Sequence, residues 1–193
     1  MPTNTPRKIE AVRKTCRIID ILQERGEAGI TEISEAMDFS KSAVHGHLAT
    51  LEDEGLVVKD GHSYYLSLRF VDIAESIKEQ IAKREIVREQ VRTLAEETGE
   101  VVHFGAEENG QVVYLAKSKG DSAVETASKV GKRMPMHSTS LGKAILSELP
   151  REDAEQIIEQ HDLTARTEHT LTEPDELLVE LDETRDRGYS IDD

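Results

Sequence analysis

The stretch from Ser40 to Leu66 restricts the fold more than any other part of the chain. Ser40 can cap a helix in which Val44, Leu48 and Leu51 recur at i, i+4 and i+7, and Gly55 stops it. The apolar run Leu56-Val57-Val58-Lys59 follows, then Asp60-Gly61-His62-Ser63, then the β-prone Tyr64-Tyr65-Leu66. An Asp-Gly turn between two such runs predicts a hairpin. Upstream, Thr31 is expected to cap a shorter helix carrying Ile33, Ala36 and Met37, broken at Asp38-Phe39. Earlier still, Val12, Cys16, Ile19 and Leu22, widened by Ile18 and Ile21, make a helical stripe that Gly26 ends. Cys16 lies inside that stripe, which is expected to bury it as a small hydrophobe. Three helices followed by a hairpin make a winged helix-turn-helix, whose second and third helices are joined by a turn of about 3–4 residues.

Beyond the hairpin the pattern becomes helical again. Phe70, Ile73, Ile77 and Ile81 share one face of a helix expected from Leu68 to about Ile81. After the charged Lys83-Arg84-Glu85, a further helix is marked by Ile86, Val87, Val91 and Leu94 and closed by Thr98-Gly99. The period then changes to that of strands. Val101 to Ala106 and Gln111 to Ala116 flank Asn109-Gly110, a second hairpin signal, and Ala123 to Ser128 is expected as a third strand. Met134-Pro135-Met136-His137 lead into a helix over Thr139 to Leu149. Helices around Arg151 to Gln160 and Pro174 to Arg187 follow, the last with proline at its start and Gly188 at its end. A final strand is expected to open at Tyr189-Ser190-Ile191; a sheet ending there would leave an exposed edge, so the natural domain is expected to continue past Asp193. The fold class is α+β, with a winged helix over 1–67, a linker helix over 68–83 and a sheet-and-helix domain over 84–193.

Charge bears on what such a chain can bind. The 193 residues carry a net charge of −15, whereas a nucleic-acid binder normally presents a basic surface. The excess is unevenly placed: residues 1–66 hold 8 Lys/Arg against 11 Asp/Glu, and residues 67–193 hold 16 against 28. Arg7, Lys8, Arg13, Lys14 and Arg17 face only Glu10 and Asp20 in the first twenty residues. Acidity of this degree also suits a salt-rich cytoplasm, where self-repulsion keeps a protein in solution. No apolar run is long enough to span a bilayer, and Cys16 is the single cysteine. A cytoplasmic protein without membrane contact, disulfide framework, thiolate zinc site or cofactor is expected.

Several residues carry candidate chemistry. The N-terminal part of a recognition helix meets base edges in the major groove. Ser40, Lys41 and Ser42 suit phosphates, His45 and His47 can donate to base acceptors, and Gly46 and Thr50 share the outward face. Thr31 at the preceding helix and Lys59 and His62 in the wing complete the DNA-contact set. Residues two apart on a helix point about 200° apart, so His45 and His47 cannot share a metal ion, and no metal site is expected. Gly142-Lys143 resembles the end of a phosphate loop, but His137 stands where that motif needs glycine and Ala144 where it needs Ser or Thr. The hydroxyls of Ser138, Thr139 and Ser140 at a helix start fit plain capping or an anion site, and both readings stay open. No nucleophile–base set or argued carboxylate pair is present, so an enzyme is not expected.

These residues carry a family resemblance. Ser40-Lys41-Ser42-Ala43-Val44-His45, with Leu51-Glu52-Asp53-Glu54-Gly55-Leu56-Val57, resembles the recognition helix and wing entry of IclR-type regulators. Gly131 to Ala144 resembles that family's effector-domain hallmark, and Gly188 to Asp193 the opening of its C-terminal signature. The resemblance implies a GAF-like effector domain, a dimer or pair of dimers on a roughly palindromic double-stranded operator, and a small-molecule effector of carboxylate type. It places Ser140 and Leu141 at backbone contacts to that effector, Asp192 as the acidic pocket residue and Met134 and Met136 in the wall, with Thr139 beside them. Many relatives have arginine where this chain has Gly46. The alternative is a shortened, ligand-deaf regulator that binds DNA or a partner subunit without sensing. An enzyme using its winged helix as a protein-interaction module is the third reading.

Overall fold

The computed structural model describes residues 7–81, 84–124 and 128–192. The chain divides into two compact units, Met1–Ala82 and Lys83–Asp193, each with its own hydrophobic core.

The first unit runs α1 (Glu10–Arg25), β1 (Glu27–Gly29), α2 (Ile30–Met37), α3 (Lys41–Asp53), β2 (Val57–Asp60), β3 (Ser63–Leu66) and α4 (Arg69–Gln80). Its core joins Ile18, Ile21 and Leu22 of α1 to Ile33 of α2, to Val44, Leu48 and Leu51 of α3, and to Val57 and Tyr64 of the hairpin. This corrects the expected α1 face. Cys16 is exposed and Val12 is 55% exposed, because the core is met by the i, i+3, i+4 set 18, 21, 22, and Cys16 lies about 200° around the helix from Ile18.

Helix α2 is capped by Gly29, not Thr31. The Glu32 carboxylate accepts the Gly29 amide at 2.7 Å, and Thr31 stands exposed in the first turn. Gly29 also ends β1, which pairs with β3 and gives the sheet the order β1-β3-β2. A strand of three residues is too short to show alternation in sequence. Ser40 caps α3 as expected, its Oγ accepting the Ala43 amide at 3.3 Å, and Gly55 leaves the helix at φ 68°. Helix α4 forms two residues beyond the wing, and none of its residues is buried within this unit.

The second unit runs α5 (Arg84–Thr98), β4 (Val101–Glu108), β5 (Gln111–Lys119), β6 (Arg133–Pro135), α6 (Ser140–Glu148), α7 (Arg151–Gln160) and α8 (Pro174–Arg187). The antiparallel sheet has the order β4-β5-β6. Residues 125–127 of the expected third strand lie outside the described residues. Ala123, Val124 and Ser128 are in no strand; the third strand is β6, because the turn at Gly131, whose amide donates to the Tyr114 carbonyl at 2.7 Å, feeds 133–135 onto β5. Tyr189 to Ile191 form no strand either, the Ile191 carbonyl being taken by a lysine of α6.

Val112 and Met136 pack with Leu146 of α6, Ala154 and Ile158 of α7, and Leu177 and Leu181 of α8. Helix α5 packs on β4 and β5 through Val91 and Ala95. Gly142 permits the tightest of these contacts: a Cβ there would overlap the Met136 backbone.

Candidate DNA interface and effector site

On α3, Lys41, His45 and Ala49 form one exposed i, i+4 ridge, and Ser42, Gly46 and Thr50 a second beside it. The core residues Val44, Leu48 and Leu51 occupy the opposite side. Ser40 and Ser42 hydroxyls lie 3.3 Å apart at the helix start, where free amides and the macrodipole favour an anion. Thr50 is partly committed, donating to the Gly46 carbonyl at 3.0 Å.

His47 differs from its neighbours. It is half-buried, its Nδ1 lies 2.9 Å from the Thr15 hydroxyl, and its ring stands 6.1 Å from that of Phe39. Two residues along from the outward His45 it faces inward, tying α3 to α1. Lys14 was not among the sequence candidates. Its ammonium lies 3.8 Å from the Phe39 ring centroid, adding positive charge just before the α3 cap. The signal for it was the basic run in α1, which does not reveal which cation packs beside α3. In the wing, Lys59 and His62 are exposed, and Lys59 Nζ lies 5.6 Å from the Tyr64 ring centroid.

In the second unit, Thr139 takes the capping reading of the hydroxyl cluster: its Oγ1 accepts the Gly142 amide at 3.1 Å. Ser140 and Leu141 open α6, so their amides have no carbonyl to reach within the helix. The hydroxyls of Ser138 and Ser190 are buried with no partner among the described residues. Lys143 is not marked by the sequence, where Gly142-Lys143 resembles only the end of a phosphate loop. Its side chain is 9% exposed; Nζ donates to the Ile191 carbonyl at 2.5 Å and lies 3.3 Å from Asp192 Oδ1.

That pair draws Asp192 to the head of α6. Burial first, and then the Asp192 charge, push the Tyr114 phenol above its ordinary value, which keeps it a donor. The Tyr114 ring stacks 4.7 Å from His103, whose imidazole burial, and then Lys117, hold below its ordinary value. Tyr114, Met134 and Leu141 all pack, half-buried, against the core of this unit. Met136 is instead buried within that core, behind Gly142.

Two family models match the chain, an IclR helix-turn-helix domain over residues 11–61 and a bacterial transcriptional regulator IclR C-terminal domain over residues 78–193. The second covers more than half of the chain. The chain belongs to the IclR family. Its IclR-family relatives are transcriptional regulators rather than enzymes. The HTH-type transcriptional regulator KdgR of Dickeya chrysanthemi is 33% identical over 189 residues, 97% of this chain and 62% of that protein. The chain thus spans less than two thirds of that relative's length. The crystal structure of Thermotoga maritima IclR superposes with a TM-score of 0.70 at 25% identity, over 95% of this chain and 75% of that one. An IclR homologue of Microbacterium hydrocarbonoxydans, complexed with 4-hydroxybenzoate, shares the fold with a TM-score of 0.74 at 18% identity, over 93% of this chain and 75% of that one. Among the described residues no helix is long and apolar enough to cross a membrane.

Proposed function

We propose that this IclR-family chain is a cytoplasmic regulator that reads double-stranded DNA with α3 and its wing under the control of a small carboxylate-type metabolite. Residues 1–67 serve as the DNA-binding domain, 68–83 as a linker and dimerisation helix, and 84–193 as the effector domain. The working form is a homodimer or a dimer of dimers on a roughly palindromic operator, with recognition helices about 34 Å apart or a multiple of that. The exposed double ridge on α3, headed by Ser40, Lys41 and Ser42, carries the DNA reading. Its polar groups project from a helix whose other side is locked in the core.

Lys14, Lys41, Ser40, Ser42 and the wing residue Lys59 meet phosphates, while His45 meets base edges. Thr31 and His62 lie at the edges of the contact, and His47 acts through the placement of α3. At the head of α6 the Ser140 and Leu141 amides offer donors to an anion close to the Lys143–Asp192 pair, and the hydroxyls of Ser138 and Ser190, buried without a partner among the described residues, are further candidate donors. The ligand complex of the Microbacterium homologue is a precedent for an acid of this size in the family. Such a ligand changes DNA affinity only by binding one arrangement of the protein better than another.

A gel-shift titration on the chain's own upstream DNA, at two salt concentrations with competitor, tests the reading. Specific and salt-sensitive binding is expected. Lys41→Ala should weaken binding to all sequences and lower the salt slope by about 1, whereas His45→Ala should cost about 1–3 kcal/mol on the preferred site alone. A folded chain that shifts no DNA at either salt would end the proposal.

A further inference from the structure

Away from the head of α6, the second unit holds a cavity of about 210 Å³ between the tip of the β4–β5 hairpin, β6 and α7. Met136 lines it, but Met134, Thr139, Ser140, Leu141 and Asp192 do not. Its apolar wall is formed chiefly by Pro135, Met136, Leu146, Ile157, Ile158 and Leu163, and His137, His161 and Asp162 add polar groups. An apolar cavity of about 150 Å³ holds benzene, so this one has room for a single ring with a small substituent.

The polar groups narrow the chemistry. His161 is spent on the backbone: Nδ1 lies 2.9 Å from the Ile157 carbonyl and Nε2 3.0 Å from the Asn109 carbonyl, which pins the hairpin tip to the end of α7. The ring rests on Gly110, where any Cβ would overlap it. This clamp gives the cavity one fixed wall and leaves His161 no donor for a ligand.

His137 is different. It is 4% exposed, and its Nε2 lies 3.1 Å from the Thr164 carbonyl. Because that partner is an acceptor, Nε2 carries the proton. Nδ1 has no hydrogen-bond partner among the described residues, so its lone pair is open to a donor. No lysine or arginine lines the cavity, whereas Asp162 does. A bound carboxylate has no proton to give to an accepting Nδ1, whereas a neutral hydroxyl does.

We propose that this cavity is a small-molecule site separate from the head of α6, taking an uncharged single-ring compound whose hydroxyl donates to Nδ1 of His137, that is, a phenol. The site shares only Met136 with the effector residues above and does not depend on DNA binding or on the acid proposed there.

Ligand-observed NMR titration of the full chain with phenol, toluene and benzoate tests it. Phenol should bind at least about tenfold more tightly than either of the others, since toluene lacks the hydroxyl and benzoate has no proton to give to Nδ1. Leu163→Trp, which fills the cavity from a half-buried loop position, should abolish phenol binding. Ile157→Phe fills the same space from α7 and gives the answer if the first variant does not fold. His137→Phe should bring phenol and toluene to equal affinity. Benzoate binding as well as phenol, phenol binding undiminished in the folded filled-cavity variants, or no phenol binding to the folded chain would each overturn the proposal.

Discussion

Asp192 acts on two neighbours at once. It lies 3.3 Å from the buried Lys143 ammonium, and its charge adds to burial in raising the Tyr114 phenol. A phenol whose folded value is raised contributes stability that is complete below its unfolded value near pH 10 and is lost as pH climbs through the folded value. Asp192→Asn should therefore move the Tyr114 phenolate transition to lower pH, as read by ultraviolet absorbance, while leaving a residual upward shift from burial. An unchanged transition would show that Asp192 does not reach Tyr114. Lys143→Met removes the cation that holds Asp192 at the head of α6 and is its natural companion variant.

Helices α3 and α6 have the same local grammar, a hydroxyl cap followed by a glycine inside the helix, yet the two glycines do opposite work. A Cβ at Gly46 meets nothing within 4 Å. Glycine in a helix interior costs about 0.5–1 kcal/mol relative to alanine. Gly46→Ala should stabilise the first unit by roughly that amount in denaturant unfolding. The open space there leaves room for a side chain to leave the backbone. At Gly142 a Cβ would overlap the Met136 backbone, which has no rotamer with which to move aside. Gly142→Ala should cost the second unit at least about 1–3 kcal/mol, the usual range for overpacking, and should displace α6 from the sheet. If both substitutions proved neutral, the close packing of α6 on Met136 would be wrong.

At the scale of the whole molecule the net charge of −15 sets two responses to salt against each other. Self-repulsion destabilises the folded chain and is screened by added ions, so the melting temperature should rise between low and high salt. Phosphate contacts lose their counterion-release advantage over the same range, so DNA affinity should fall. Thermal melts and gel shifts on one preparation at about 0.05 and 1 M salt check both signs. A melting temperature that falls with salt would mean that attractive ion pairs, such as Arg151 with Glu155 and Asp182, outweigh the repulsion.

Much of this protein is written locally. The cap at Ser40, the stops at Gly26, Gly55 and Gly188, and the hairpins at Asp60-Gly61 and Asn109-Gly110 depend on neighbours a few residues away, so they could be read from the chain alone. The α+β order and the exposed ridge on α3 follow from that same periodicity. What needed the tertiary structure lies where two distant segments meet. Which side of α1 is buried, leaving Cys16 in solvent, depends on where α2 and α3 pack. The pairing of β6 with β5 depends on a turn at Gly131 that satisfies the Tyr114 carbonyl. His47 turns inward because Thr15 of another helix stands beside it. Lys143 finds Asp192 only because α8 returns the chain to the head of α6. Period and propensity act over one or two turns of chain, whereas burial and charge pairing act across space, and only folding brings their partners together.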